Sequence, residues 1–216
     1  AANLASVPVA IHLDHGPDFD TVMKALRNEF TSIMRDASKL PYDENVAEVR
    51  KVVEACHAIG IPVEAEIGKI GGAEEHVVVS EREATMSDPD ECVKFVNDTE
   101  CDFLAVAIGN AHGFYKGEPK LDFDRLDTIR EKVPVPLVLH GASGIPDHQI
   151  AKAVKGGICK INIDTEIRHA FATTVKKFQE ENPDQIDPRK ILGPAMDAMQ
   201  AVVERKIEIF GSANRA

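Results

Sequence analysis

The sequence predicts an α/β fold built on a parallel sheet, and two observations carry that prediction. Short apolar runs alternate with longer amphipathic segments from one end of the 216-residue chain to the other, a rhythm that right-handed crossovers turn into a parallel sheet. Polar residues close almost every run at its C-terminal end: Asp14-His15, Asp36, Glu64 and Glu66, Gly109 to His112, His140, and Asn162 to Thr165. A TIM (β/α)8-type barrel gathers its functional residues at that rim, whereas a doubly wound sheet concentrates them at one switch point, so the barrel is preferred. Six βα units can be counted against the eight that closure requires. The expectation is one barrel domain over residues 1–216, incomplete at its N-terminus.

Taken in order, strands are read at Val9 to Asp14, Ser32 to Asp36, Val63 to Gly68, Phe103 to Ile108, Pro136 to His140 and Lys160 to Asp164. Each is a brief run rich in β-branched or aromatic residues. Helices fill the intervals. Asp18 caps one that runs through Leu26, and Asp43 or Asn45 caps another whose Val46, Val49, Val52 and Val53 share a face. Asp88-Pro89 reads as N-cap and first residue of the helix carrying Val93 and Val96. Pro146 to Val154, Glu166 to Phe178 and a long segment from Pro188 to Ile209 follow.

An apolar content of 44% suffices for one substantial core, and no linker-like block divides the chain. With 25 basic and 36 acidic residues the formal charge is −11. Such a surface attracts neither nucleic acid nor an anionic membrane. No stretch approaches the ~20 apolar residues that span a bilayer, and the N-terminus does not read as a signal peptide. A soluble, cytoplasmic protein is expected. The four cysteines, Cys56, Cys92, Cys101 and Cys159, show no CxxC spacing and read as reduced, buried thiols.

Three histidines stand out. His15, His112 and His140 each follow an apolar run and each precedes glycine, in DHG, AHG and LHG. On parallel neighbouring strands their imidazoles converge at one rim of the sheet. Neutral imidazole suits zinc, and three protein ligands with an open fourth position is the catalytic pattern.

Longer strings then come into view: HLDHG at 12–16, VEAEIGKIGG at 63–72, AVAIGNAHGFYKGEPKLDF at 105–123, LVLHGASGIP at 137–146 and KINIDTE at 160–166. In these, and in their order, the chain resembles the class II, zinc-dependent ketose-bisphosphate aldolases. The resemblance implies reversible aldol cleavage of fructose or tagatose 1,6-bisphosphate to dihydroxyacetone phosphate and glyceraldehyde 3-phosphate. It implies one catalytic zinc ion held by His15, His112 and His140, with room for a monovalent cation, and a homodimer or homotetramer. Asp14 matches the family's acid/base at the aldehyde-derived carbon; alternatively it orients a ligand. Glu74, in the glycine-rich Lys69 to Glu75 segment that reads locally as a mobile loop, matches the carboxylate that exchanges the proton beside the carbonyl, with Glu75 as its competitor. Gly113, Gly141, Ala142, Ser143, Asn162, Ile163, Asp164 and Thr165 match the dihydroxyacetone phosphate site, with Lys116 read as added charge nearby and Arg168 as a further candidate. They fall at strand-to-helix junctions, where backbone N–H groups bind anions. Asp36 and Glu66 match positions that either brace a metal ligand or contact the metal in an alternate position.

Glu64 shares a strand face with Glu66, and is either turned inward beside a cation or left at the surface. The family pattern is broken at Arg35, usually aliphatic, and Lys39, usually histidine. A lone charge in a buried strand costs several kcal/mol, so either the missing upstream units leave that face open to water, or Arg35 and Lys39 pair with carboxylates or a substrate phosphate. Two further readings accompany the aldolase: a catalytically inactive truncated homologue acting as a binding or accessory subunit, and a zinc hydrolase on the same barrel. In the C-terminal segment Ile191, Met196, Met199, Val202, Val203 and Ile207 serve either an oligomer contact or packing on the chain's own barrel.

Overall fold

The computed structural model describes residues 2–74, 77–79, 85–113, 115 and 117–215. After a short 3-10 turn at Ala2–Leu4, the elements run β1 (His12–Gly16), α1 (Phe19–Arg27), β2 (Ser32–Arg35), α2 (Tyr42–His57), β3 (Val63–Ile67), β4 (Gly71–Glu74), β5 (Val77–Val79) and α3 (Pro89–Thr99). Then come β6 (Phe103–Val106), β7 (Ala111–His112), α4 (Phe123–Lys132), β8 (Leu137–Leu139), α5 (Asp147–Lys155), β9 (Ile158–Ile161), α6 (Thr165–Glu181) and α7 (Pro188–Ile209). The main sheet has six strands in the order β1-β2-β3-β6-β8-β9, and every pairing in it is parallel. Although β1 and β9 are its two edges, Asn162 just beyond β9 reaches Asp14 in β1. The sheet therefore curls as a TIM-type barrel does, and its strand ends face one another.

The two faces of this sheet differ. Outward, Ile33, Val63, Ala65, Ile67, Leu104, Val106, Leu137 and Leu139 pack with helix residues such as Val22, Val49, Val52, Phe95, Leu126, Ile129 and Ile150 in one cluster that forms the core. Inward, the described residues form a small apolar cluster of Met34, Ala105 and Val138 with Phe103 against them. Period-two alternation sorts the residues of each strand between these layers.

Helix starts follow ordinary capping physics, with one correction. Asp18 accepts from the Thr21 backbone N–H at 2.7 Å, and Asp88 from those of Asp90 and Glu91, as expected. The helix α2 starts earlier than Asp43 or Asn45 would place it, at Tyr42 behind Pro41, with no side-chain cap. Asp43 and Glu44 instead sit in its first turn, where the helix dipole favours them. Asn45 is buried and donates to the Glu66 carbonyl at 3.1 Å.

Other corrections concern strand bounds and surface. The first strand begins at His12 rather than Val9, because its ladder starts where His12 meets Ser32, leaving Val9 and Ile11 exposed. The last begins at Ile158, so residues 162–165 lie at the junction beyond it. The glycine-rich segment is not simply a loop: Gly71–Glu74 pairs antiparallel with β5 and parallel with β7. Cys56, Cys92 and Cys101 are buried free thiols as expected, but Cys159 is exposed. Among the described residues no helix is long and apolar enough to cross a membrane.

Candidate active site

The site is built at the C-terminal rim of the sheet. Strict alternation would send Asp14 and His15 to opposite faces. Instead the β1–β2 register shifts between Leu13 and Gly16, and His15 takes a left-handed backbone (φ 44°). This irregularity lets two consecutive side chains serve one site, as β-bulges do. His140 follows β8 directly, and His112 ends β7, which is anchored against β4 through the Gly72–His112 pair.

The three imidazoles meet as the sequence predicts. Ring centroids lie 4.6 Å apart for His15–His140, 5.1 Å for His15–His112 and 6.0 Å for His112–His140. One nitrogen from each lies within 4.8 Å of the others. His15 Nε2 and His140 Nδ1 face each other at 2.8 Å. Their opposite nitrogens are held from behind: His15 Nδ1 by Asp36 Oδ2 at 2.8 Å and His140 Nε2 by Glu64 Oε1 at 2.7 Å. Carboxylates placed so fix the tautomer and aim of a ligating imidazole. This donor set fits zinc.

Electrostatics agree with that fit. Burial opposes a charge on His15, but the Asp36 hydrogen bond and the charges of Glu66, Asp14 and Asp36 outweigh it and raise its pKa to about 9. The proton so retained is one that a metal cation displaces. Burial, reinforced by His15 and His140, lowers His112 to about 3 and keeps it a neutral donor. Burial alone would raise Asp36, yet the His15 contact and the Ser38 hydrogen bonds hold it well below the usual carboxylate range. Glu66 moves the other way, raised by complete burial and by Asp36. His15, Asp36 and Glu66 form a second convergent group of candidate ligands.

Asp14 is exposed at the mouth, and both its oxygens lie 2.9 Å from the Asn162 amide nitrogen. Beside it the turn at Gly141, Ala142 and Ser143 meets the N-terminus of α6, where Ser143 Oγ accepts from the Glu166 N–H at 3.3 Å. Asn162, Ile163, Asp164 and Thr165 line that junction, and Asp164 pairs with Arg168 at 2.7 Å. Gly113 directly follows His112. Glu74 is placed only as the last residue of β4, while Glu75 and Lys116 lie outside the described residues.

Glu64 is fully buried, which removes the surface alternative. Its partners besides His140 are Lys160 at 2.9 Å and His12 at 3.5 Å. Of the two readings of Arg35, pairing with a carboxylate is the one realised: it shares a face with Ile33, turns toward α2 and meets Glu48 at 2.9 Å. It also donates to the Gly16 and Asp36 carbonyls. With Lys39 it lines a cavity of about 210 Å³ beside His15.

Several site residues escape the sequence reading. His12 and Lys160 each stand two positions before a site residue, Asp14 and Asn162, so alternation could have placed them on the inner face. Tyr115 and Asn110 give no such signal. The Tyr115 hydroxyl accepts from the Ala111 N–H at 2.7 Å and donates to the Gly141 carbonyl at 2.9 Å. Asn110 donates to the His140 carbonyl at 3.0 Å. Both tie the His112 strand to the His140 turn.

Close packing here leaves no room for a methyl group at Gly72. Its φ is +105°, and an added Cβ would stand 2.1 Å from the His112 carbonyl oxygen. Gly72→Ala is expected to destabilise the fold by about 1–3 kcal/mol and to weaken metal binding by displacing His112. Thermal unfolding with a zinc titration checks this, and unchanged values in both would refute it.

Likenesses to known proteins accompany this geometry. The family model described as fructose-bisphosphate aldolase class-II matches residues 1–215. A fructose-bisphosphate aldolase from Thermus caldophilus is 46% identical over 238 residues, which take in 100% of this chain and 78% of that protein. The YdjI aldolase structure from Escherichia coli K12 superposes with a TM-score of 0.87 at 41% identity, covering 100% of this chain and 74% of that one. A structure from Coccidioides immitis, provisionally described as a fructose-1,6-bisphosphate aldolase, superposes with a TM-score of 0.90 at 33% identity, over 99% and 75% of the two chains.

Proposed function

The chain belongs to the class II fructose-bisphosphate aldolase family, and from that premise we propose that it catalyses the reversible aldol cleavage of a ketose 1,6-bisphosphate, fructose or tagatose. The products are dihydroxyacetone phosphate and glyceraldehyde 3-phosphate. The observation that carries the reading is the convergence of His15, His112 and His140 beside Asp14. Zinc held by the three imidazoles would supply Lewis-acid polarisation of the ketose carbonyl.

The residues divide the remaining work. In cleavage Asp14 takes the proton of the C4 hydroxyl as the C3–C4 bond breaks, and the bonding pair stays on C3. Glu74, with Glu75 as its alternative, delivers a proton to C3; synthesis runs both transfers in reverse. The Asn162 amide holds the Asp14 carboxylate toward the mouth. Gly113, the 141–143 turn and the 162–165 junction offer backbone N–H groups and hydroxyls to the phosphate of dihydroxyacetone phosphate, with Lys116 as added charge. Asp36 and Glu66 steady His15 or take up the metal in a second position.

The same proposal takes residues 1–216 as one catalytic domain in a cytoplasmic enzyme, a setting in keeping with four free cysteines. It includes a homodimer or homotetramer. Leu192, Met196, Val203 and Ile207 are exposed along α7 at spacings that keep them on one face, in keeping with a subunit contact.

The test is triose phosphate production from both sugars by metal-stripped protein, before and after stoichiometric zinc. Cleavage that appears only with zinc is the expected result, and the rate ratio names the preferred sugar. Folded, zinc-bound protein that cleaves neither would refute the reading in favour of the inactive homologue. Phosphate release without trioses would point to the hydrolase.

A further inference from the structure

The roles above leave unused a contact between a half-buried lysine and a fully buried carboxylate. Lys160 in β9 stands two residues before Asn162, so both side chains point into the barrel. Its ammonium lies 2.9 Å from Glu64 Oε2 and 2.8 Å from Asn162 Oδ1. The other oxygen of Glu64 holds His140 Nε2 at 2.7 Å, and the nitrogen of the Asn162 amide faces both oxygens of Asp14 at 2.9 Å. One cation thus stands between the carboxylate behind a metal-ligand candidate and the amide behind the acid/base candidate.

Hydrogen-bond chemistry makes that place directional. An ammonium only donates and an ionised carboxylate only accepts, whereas an amide has one end of each kind. Between Lys160 and Asp14, Asn162 has one orientation that satisfies both neighbours, oxygen toward lysine and nitrogen toward aspartate. Without the ammonium that preference loses one of its two causes, and fully buried Glu64 loses its closest permanent countercharge. His12 cannot substitute. Its Nδ1 is engaged by Ser32 Oγ at 2.8 Å, its Nε2 is 3.5 Å from Glu64, and burial, first among several causes, lowers its affinity for a proton.

We propose that Lys160 is a positioning residue of this active site, bridging Glu64 and Asn162 so that the His140 imidazole and the Asp14 carboxylate are aimed together. The inference rests on the roles proposed above for His140 and Asp14. A lysine that only neutralised Glu64 would matter to stability alone; a positioning lysine alters turnover and metal affinity in protein that remains folded.

Lys160→Met separates the two. Zinc affinity is measured by competition with a chromophoric chelator, kcat and KM with fructose 1,6-bisphosphate, and folding by thermal unfolding. The expected result is zinc affinity lower by about tenfold, as for lost outer partners of metal ligands, and kcat lower by about 10–100-fold with KM nearly unchanged. Folded K160M with zinc affinity and kcat both within about threefold of the parent would overturn the proposal. Should K160M not fold, Lys160→Arg keeps Glu64 neutralised while its planar fork replaces the point contact. Its kcat is expected to fall at least about fivefold at an unchanged melting temperature, and parental kcat would overturn the proposal. A parent chain that cleaves neither sugar refutes the aldolase reading alone, and the zinc-affinity ratio then decides the role of Lys160.

Discussion

Asp14→Asn is expected to lower kcat for aldol cleavage by about 10²–10⁴-fold, the usual contribution of a positioned acid/base. Asparagine matches the shape of aspartate but cannot accept the C4 hydroxyl proton. Position 14 is exposed and bears none of the burial that fixes the metal candidates, so zinc affinity and melting temperature are expected to stay near parental values. KM is expected to change little, because the lost interaction belongs to the transition state. Steady-state triose phosphate production, together with chelator competition, distinguishes this outcome from a general loss of the site. A kcat within about tenfold of the parent would exclude Asp14 as the acid/base and return it to the orienting role.

His140→Ala attacks the other half of the site and has the largest expected effect. It removes one of three converging nitrogens and takes from buried Glu64 its shortest hydrogen bond. Zinc affinity is expected to fall by more than the ~10–100-fold typical of losing a partner that holds a metal ligand, and zinc-dependent cleavage to fall below detection. Lys160 still compensates Glu64, so the stability loss is expected to be about 1–3 kcal/mol, that of a vacated buried hydrogen-bonding position. Isothermal titration with zinc and denaturant unfolding read these effects separately. Parental zinc affinity in folded protein would remove His140 from the ligand set.

Much of this was legible in the chain because buried parallel strands are short, apolar and closed by polar residues. The six main strands and the convergence of three histidines follow from that pattern. What escaped depends on partners distant in sequence. The run Pro8 to Ile11 is apolar enough for a strand, but apolarity does not supply a neighbour, and pairing begins only at His12. Glycines have no side chains from which a period can be read, so Gly71–Glu74 reads as a loop until β7 is seen beside it. Alternation correctly joins Glu64 to Glu66, yet it is silent about Lys160 and His140 across the barrel. It also fails at Asp14-His15, where a bulged strand end gives both residues to one site. Tyr115 had no local signature, since its two hydrogen bonds join segments that only the fold brings together.

The unequal faces of the sheet bear on how such a chain changes over generations. Cohesion resides mainly outside, between strands and helices, while the inner side holds the ionisable groups and little apolar packing. A descendant can therefore exchange inner residues and rim loops for a new chemistry while inheriting the shell that folds it. The permitted steps are nevertheless coupled. Glu64 lies enclosed between Lys160 and His140, and replacing either partner alone leaves a buried carboxylate short of a hydrogen bond or of its countercharge. Lineages that lose one member of this set are expected to lose or replace the others with it.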